Sequence, residues 1–251
     1  MAQPVSVHQL YESARAAGAP LVGGHRGNPA EHPENTLASF RSAIELGVDL
    51  IECDVHMSSD GELVVIHDHT LERTTDGAGL VGQHSLAQLR ELDAGAGERL
   101  PVLEEVCEVA REGGVGLCIE VKQIPIPYPG LEERLVDRLR QLEMLEQSAV
   151  ISFLHASVRR VKELEPRLTT GVLEAARPID PVGLMRGALA DLYAPHYGAM
   201  DAQLVQEVQS AGGRVGVWTV DDAAAVAWCR VCRPDSVFTN RPREIGPALR
   251  S

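Results

Sequence analysis

Two apolar runs in the first quarter of the chain each end in polar residues: Leu21-Val22-Gly23-Gly24 leads into His25-Arg26, and Val48-Asp49-Leu50-Ile51 leads into Glu52-Cys53-Asp54. Both runs have the length and composition of buried β-strands. Side chains at positions i and i+2 of a strand face the same side, so Glu52 and Asp54 point together and Cys53 points away. Two carboxylates beside a histidine and an arginine indicate a site for a hard cation and a phosphate group.

The rest of the chain alternates predicted strands with predicted helices. One helix is predicted at Thr36–Leu46, with Asn35 as its cap. Eight main strands are predicted, at Leu21–Gly24, Val48–Val55, Val115–Lys122, Ala149–Phe153, Thr169–Glu174, Asp191–Ala194, Arg214–Val220 and Ser236–Thr239. Their apolar character suits a parallel sheet covered by helices. Eight strand–helix units in 251 residues predict an α/β fold, a (β/α)8 TIM barrel. An open, doubly wound sheet is the alternative, but no Gly-x-Gly-x-x-Gly motif follows the first strand.

One connection is much longer than the others. Residues 56–102 separate the second strand from the next helix, where a few residues would be ordinary. They contain a short predicted strand, Leu63–Ile66, which leads directly into His67-Asp68, and a predicted helix at Ser85–Leu92. Loops that follow barrel strands rise from the face that carries the active site. We therefore expect a single barrel domain, residues 1–251, with a small insertion that caps the site and contributes a residue to it.

The barrel hypothesis brings together polar residues that are far apart in sequence. The candidate site residues all follow or end predicted strands: His25, Arg26, Glu52, Asp54, His67, Glu120, Lys122 and Trp218. The carboxyl ends of barrel strands meet at one face, so these side chains are expected to converge there.

The acidic residues have two interpretations. Glu52 and Asp54 could lie at a solvated strand end or pair with Arg26. Like charges on one face of a strand destabilise it unless a positive group holds them, so an arginine or a cation is needed in either case. With Glu120 added, three hard oxygen donors favour Mg²⁺ or Ca²⁺ over zinc.

The other candidates also have ordinary structural alternatives. His25 or His67 alone would usually be a packed histidine, but two histidines near carboxylates can give and take protons near neutral pH. Arg26, and with less support Lys122, would grip phosphate oxygens rather than serve only as ion pairs. Trp218 would be core or a pocket wall. His56 has the parity to lie near the site, although no role follows from the sequence.

The ordered motifs resemble one known family. They are His25-Arg26-Gly27, Pro33-Glu34-Asn35-Thr36, Glu52-Cys53-Asp54-Val55, Asp60-Gly61, His67-Asp68, Leu71-Glu72-Arg73-Thr74-Thr75, Pro101-Val102-Leu103-Glu104-Glu105, Glu120-Val121-Lys122 and Val217-Trp218-Thr219-Val220. Together they resemble the glycerophosphodiester phosphodiesterase family, densely up to Glu120 and sparsely beyond it. The resemblance implies metal ligands at Glu52, Asp54 and Glu120, and a catalytic pair at His25 and His67. It also implies an enzyme that hydrolyses glycerophosphodiesters to an alcohol and sn-glycerol 3-phosphate.

The chain departs from the common family pattern at two positions near its end. Asp221 stands where asparagine is frequent, and Asn240 stands where aspartate is frequent. Two rival functions remain open at this stage. One is a lysophospholipase D-type or other phosphodiesterase on the same barrel, and the other is a non-catalytic barrel that only binds phosphate.

Composition bounds the partners. A net charge of −13 argues against nucleic acid or an anionic membrane surface as the main partner. The chain has no signal-like start and no run of the ~20 apolar residues that would span a bilayer, so we expect a cytoplasmic protein with a small-molecule substrate and no stable membrane insertion. Five scattered cysteines do not predict a disulfide framework. Cys229 and Cys232 fall late in a predicted helix and are interpreted as core or surface residues. The oligomeric state is left open.

Overall fold

The strands close on themselves. In the computed structural model, which describes residues 5–250, β1 (Leu21–His25) pairs in parallel with both β2 (Leu50–Met57) and β9 (Ser236–Thr239). The other barrel strands are β4 (Gly116–Val121), β5 (Ser148–Ser152), β6 (Thr169–Glu174), β7 (Leu192–Pro195) and β8 (Arg214–Val217). The order β1-β9-β8-β7-β6-β5-β4-β2, closed by β1 against β2, is a parallel eight-stranded barrel. The predicted TIM barrel is confirmed, and the open doubly wound sheet is wrong.

Helices surround this barrel. The structure has α1 (Val7–Ala17), α2 (Leu37–Glu45), α3 (Leu86–Leu89), α4 (Leu103–Gly113), α5 (Leu131–Gln141), α6 (His155–Leu164), α7 (Pro181–Ala188), α8 (Ala202–Ser210), α9 (Ala223–Cys232) and α10 (Pro242–Arg250). After each barrel strand, the chain passes through a helix before it enters the next one. The bounds of the eight barrel strands lie within three residues of the predicted ones. Helix α3, predicted at Ser85–Leu92, is only one turn long, because the chain turns away at Arg90.

Two apolar layers support the barrel. Outward side chains of the strands, including Cys53, pack against the helices in the larger layer. Inward side chains such as Leu50 and Phe238 fill the barrel interior together with Val7 and Tyr11 of α1. Because α1 packs on the starts of the strands, it closes the amino-terminal end of the barrel, and the interior opens towards the carboxyl ends. This leaves the open end for the site.

The segment of residues 56–102 has a small core of its own. Within it, β3 (Leu63–Val65) pairs antiparallel with β2, and a 3-10 helix (Val81–Gln83) precedes α3. Its buried apolar residues form a cluster of Val64, Ile66, Leu71, Val81, Leu89, Ala94 and Leu100. Arg90 donates two hydrogen bonds to Glu105 of α4, at 2.6 and 2.7 Å. The segment is thereby fixed against the barrel and carries His67 two residues after the end of β3.

The five cysteines are buried, and none is in a disulfide. Cys229 and Cys232 lie in α9, and burial raises the pKa of Cys229 to about 12. No helix within residues 5–250 is both long and apolar enough to cross a bilayer.

Candidate active site

Strand register explains why the predicted residues converge. His25 lies opposite Glu52 in the β1–β2 pair, and Asp54 lies opposite Glu120 in the β2–β4 pair. Inward side chains recur every second residue, so Glu52 and Asp54 both enter the barrel while Cys53 packs outside it. The parity predicted from sequence is therefore the one that the strands adopt.

The three carboxylates form one buried cluster. Glu52, Asp54 and Glu120 each have an oxygen within 4.8 Å of the others, and all three are buried. The Lys122 ammonium lies 2.9 Å from Asp54 Oδ1 and 2.6 Å from Glu120 Oε1. Arg26 donates its backbone N–H to Glu52 Oε2 at 2.9 Å, and its Nε lies 3.4 Å from Asp54 Oδ2. Two cations thus face three acids.

The pKa values of these acids separate according to their neighbours. Burial and the charges of Asp54 and Glu120 raise the pKa of Glu52 well above its usual value. Burial also raises the pKa of Glu120 to about 7, against the opposing pull of Lys122. Burial opposes ionisation of Asp54 too, but Lys122 and Arg26 outweigh it and lower the pKa of Asp54. Glu52 and Glu120 therefore ionise less readily than exposed glutamates do, whereas Asp54 ionises more readily than an exposed aspartate.

The cluster fits a hard divalent cation. Its donors are carboxylate oxygens, the ligands that Mg²⁺ and Ca²⁺ prefer. Burial is the main cause of the raised pKa of Glu52, and repulsion from Asp54 and Glu120 adds to it; a bound cation would offset that repulsion. Within residues 5–250 it is also the one group of three or more close potential metal ligands found. The residues can therefore hold a divalent metal ion.

His25 is held by an amide. Its Nδ1 lies 2.7 Å from Asn240 Oδ1, and Asn240 in turn donates from Nδ2 to Asp221 Oδ2 at 2.6 Å. Burial lowers the pKa of His25 to about 4, and the charge of Arg26 adds to this effect. His25 is therefore neutral near pH 7.

His67 is held by a carboxylate. Its Nδ1 lies 2.6 Å from Asp68 Oδ1, and Arg73 donates to both Asp68 oxygens at 2.6 and 3.1 Å. Arg73 also donates two hydrogen bonds to Glu34, at 2.9 and 2.8 Å, and Glu34 accepts from Arg26 at 3.0 Å. Arg73 thereby ties the insertion to the loop after β1. Burial lowers the pKa of His67, and the charges of Lys122 and Arg26 add to this effect, whereas Asp54 and the hydrogen bond to Asp68 act in the opposite direction.

Two residues near the site have roles that the sequence did not reveal. His56 is buried, and its Nε2 donates to the backbone carbonyl of His67 at 3.0 Å, while its Nδ1 accepts from the Tyr128 hydroxyl at 2.9 Å. This hydrogen bond from His56 holds the backbone of His67 in place. Its parity on β2 placed it near the site, but no local pattern identifies Tyr128 as its partner.

Asn35 contacts the acidic cluster and, contrary to what the sequence had suggested, does not cap a helix. The sequence suggested Asn35 as the cap of α2, but the cap is Thr36, whose side chain accepts from Ser39 N. Asn35 has a positive φ of 57°, and its side chain donates to Asp54 Oδ2 at 2.8 Å. Asparagine tolerates this left-handed backbone better than most residues, which lets it turn into the site.

Seven of the eight predicted site residues line one pocket: His25, Arg26, Glu52, His67, Glu120, Lys122 and Trp218. Asp54 is fully buried beneath them. The opposite wall is apolar and consists of Ile151, Phe153, Leu173, Leu192, Ala194 and Phe238. Trp218 belongs to this wall, donates to Ala194 O at 2.9 Å and meets Phe153 edge-on. The pocket is therefore charged on one side and apolar on the other.

Fold and site together define a (β/α)8 barrel with two histidines and a cluster of three buried carboxylates at its carboxyl end. The model of the glycerophosphoryl diester phosphodiesterase family matches residues 25–244. A glycerophosphodiester phosphodiesterase of Caldanaerobacter subterraneus subsp. tengcongensis is 36% identical over 232 residues, which cover 90% of this chain and 96% of that protein. The chain belongs to the glycerophosphoryl diester phosphodiesterase family, and the resemblance seen in its motifs is confirmed.

Two further comparisons agree with this assignment. A glycerophosphodiester phosphodiesterase of Bacillus subtilis is 33% identical over 250 residues, covering 88% of this chain and 84% of that protein. Among solved structures, an Oleispira antarctica phosphodiesterase in complex with the product sn-glycerol-3-phosphate has a TM-score of 0.84 at 31% identity, covering 94% of this chain and 99% of that one.

Proposed function

We propose that this protein hydrolyses glycerophosphodiesters to an alcohol and sn-glycerol 3-phosphate. The observation that carries the proposal is the pairing of two histidines, held by different partners, beside three buried carboxylates in one pocket. A protein that only binds phosphate needs no second proton carrier. The family relatives named as glycerophosphodiester phosphodiesterases support the choice of substrate.

The carboxylate cluster would hold the metal ion. Glu52, Asp54 and Glu120 offer hard oxygen ligands for Mg²⁺ or Ca²⁺. When bound, such an ion supplies charge that binds phosphate oxygens and polarises phosphorus. Asn35 keeps the Asp54 carboxylate in place through its amide hydrogen bond.

Two side chains complement the charge of the phosphate. Arg26 and Lys122 line the pocket next to the cluster, and both carry fixed positive charge. Charge that builds on the non-bridging phosphate oxygens would be stabilised by these groups, which are already in place before the reaction. The apolar wall around Trp218 would receive the less polar part of the departing alcohol.

The histidines would divide the proton transfers. A general base must be neutral at rest, and a general acid must carry a proton at rest. His25 faces a neutral amide and suits the base. The pKa of His67 is lowered overall, but its Asp68 partner is a carboxylate that stabilises the protonated ring, so His67 suits the acid better than His25 does. His25 would take the proton of the nucleophile, and His67 would give a proton to the oxygen of the leaving alcohol. The nucleophile is water or a hydroxyl of the substrate's own glycerol.

One assay tests the proposal. Turnover is measured on a panel of glycerophosphodiesters, with a lysophospholipid included because half of the pocket wall is apolar. Each substrate is assayed with chelator, with Mg²⁺ and with Ca²⁺. We expect metal-dependent release of sn-glycerol 3-phosphate from the glycerophosphodiesters. Preferential turnover of the lysophospholipid would favour the lysophospholipase D-type activity, and binding without turnover would favour a non-catalytic barrel.

A further inference from the structure

Two residues outside the predicted site set lie behind His25. Asp221 lies in the loop after β8, and Asn240 directly follows β9. The Asp221 carboxylate accepts three hydrogen bonds: Oδ1 accepts from Asn240 N at 2.8 Å and from Thr239 Oγ1 at 3.0 Å, and Oδ2 accepts from Asn240 Nδ2 at 2.6 Å. The Asn240 Oδ1 atom then meets His25 Nδ1 at 2.7 Å. These contacts form a chain from Asp221 through Asn240 to the histidine.

The chain of donors and acceptors allows one orientation. A carboxylate only accepts hydrogen bonds, so the Asn240 amide must direct its NH₂ group to Asp221 and its oxygen to His25. The amide oxygen only accepts, so His25 must donate through Nδ1–H. Neutral imidazole carries one proton, and its Nε2 therefore bears the lone pair.

We propose that Asp221 and Asn240 are positioning residues that hold neutral His25 in the Nδ1–H tautomer, with the Nε2 lone pair available for the reaction. The inference rests on the proposed function. In the step it serves, the O–H bond of the nucleophile breaks, its proton forms a bond to His25 Nε2, and the oxygen's electron pair attacks phosphorus. The resulting imidazolium keeps its Nδ1–H bond to Asn240.

Asp221 and Asn240 are complementary to each other. Asp221 and Asn240 contact each other, so an acid at one position and an amide at the other keep the pair complementary. The same two residue types in exchanged positions would still provide one acceptor-only group and one amide. What changes is that a neutral amide, not a carboxylate, faces His25 in this chain.

A single substitution should reverse the tautomer. In Asp221→Asn, the backbone N–H of Asn240 still requires an oxygen at the Oδ1 end, so the new NH₂ group takes the Oδ2 end. There the new NH₂ group at position 221 faces the NH₂ group of Asn240. The Asn240 amide must therefore flip, and it then presents its NH₂ group to His25. The His25 Nδ1 atom then has to accept, and the proton moves to Nε2. Adding Asn240→Asp provides a carboxylate that can accept from both the new amide at position 221 and His25 Nδ1–H.

The first test measures the tautomer in the wild-type protein. In ¹⁵N-labelled protein, NMR distinguishes a protonated ring nitrogen from one with a lone pair, and His25 is assigned by the signal missing from His25→Gln. We expect a protonated Nδ1 and an unprotonated Nε2 near neutral pH, and the opposite tautomer in Asp221→Asn. A wild-type His25 protonated at Nε2 alone would overturn the proposal.

The second test measures rescue. We expect Asp221→Asn to lower kcat by ~10²–10⁴-fold with little change in KM, as loss of the correct tautomer does in other histidine-dependent enzymes. The double variant Asp221→Asn/Asn240→Asp should recover most of this loss. Asn240→Asp alone should be impaired, because it places two carboxylates against each other. The matched control Asp222→Asn removes the neighbouring charge, which only caps α9, and should leave kcat unchanged.

Circular dichroism and thermal unfolding show whether each variant is folded. If the folded double variant is no more active than Asp221→Asn, the proposal is overturned, because a merely structural role for Asp221 predicts no rescue of kcat. Failure of the proposed function is separate: a wild-type protein that turns over no glycerophosphodiester with either metal would refute that function, while the NMR result would still report the tautomer.

Discussion

The two histidines of the pocket come from different regions and are held in different ways. His25 ends a barrel strand, and its partner is the neutral amide of Asn240. His67 comes from the insertion, and its partner is the Asp68 carboxylate, which Arg73 holds with two hydrogen bonds. Both rings donate through Nδ1, because both partners accept there. The partners differ in charge. When Nε2 takes up a proton, the positively charged ring of His67 has a carboxylate as its partner, whereas that of His25 has a neutral amide.

In the proposed mechanism, this difference separates the base, His25, from the acid, His67. The barrel supplies the histidine that is neutral at rest, and the insertion supplies the one that more readily keeps a proton. Near His67, Arg73 ties the insertion to the barrel by linking Asp68 to Glu34 of the loop after β1.

The largest effect is expected from removal of the metal. Chelation should abolish turnover of every substrate, and Mg²⁺ or Ca²⁺ should restore it, because three carboxylates cannot bind an anionic phosphate unaided. Glu120→Gln should weaken metal binding, since a neutral amide oxygen replaces a charged ligand. Calorimetric titration with each metal measures this. The control Glu163→Gln changes an exposed glutamate of α6 and should bind metal normally, and full activity in chelator would refute the shared metal.

A smaller effect is expected from Asp68→Asn, which makes the partner of His67 neutral like that of His25. Protonated His67 loses its counter-ion, so turnover should fall for alcohols that need a proton to leave, by less than the ~10²–10⁴-fold expected from loss of the acid itself. Turnover of a p-nitrophenyl ester should change little. The control Asp76→Asn alters another carboxylate of the insertion and should affect neither substrate. Equal losses on both substrates would contradict a role of Asp68 in the acid.

The smallest effect concerns stability. Burial lowers the pKa of His56 to about 4, so its folded form resists protonation that the unfolded chain accepts near its ordinary pKa. A histidine whose pKa is lower in the folded state stabilises the protein at pH values above its unfolded pKa. This contribution is lost as the pH falls towards the folded pKa. Between pH ~7 and ~4.5, wild-type protein should lose on the order of 2 kcal/mol more unfolding free energy than His56→Gln. Urea titrations at both pH values measure this difference, and parallel losses would contradict it.

Local patterns in the sequence predicted the barrel and the acidic cluster because strand parity decides both. Glu52 and Asp54 must share a face in any strand, and the carboxyl ends of parallel strands must meet. Contacts between distant loops have no such rule. Asn240 reaches His25 across 215 positions of sequence, and Tyr128 reaches His56 across 72. Such pairs depend on how the closed barrel places its loops, so no periodicity or spacing reveals them.

Asn35 shows a different reason for a wrong expectation. An asparagine just before a helix usually caps it, and the local sequence favours that interpretation. The backbone at Asn35 instead takes a positive φ, and Thr36 becomes the cap. The Asn35 side chain is then free of the helix and bonds to Asp54 in both directions, as donor from Nδ2 and as acceptor from Asp54 N.

The division between the two histidines is tested most directly by the leaving group. An alkoxide needs a proton to depart, whereas p-nitrophenolate leaves readily without one, so kcat is measured for His25→Ala and His67→Ala on a glycerophosphodiester and on a p-nitrophenyl ester. We expect His67→Ala to lose ~10²–10⁴-fold on the glycerophosphodiester and far less on the p-nitrophenyl ester, and His25→Ala to lose similar factors on both. Equal losses on the two substrates for both variants would contradict the division of roles.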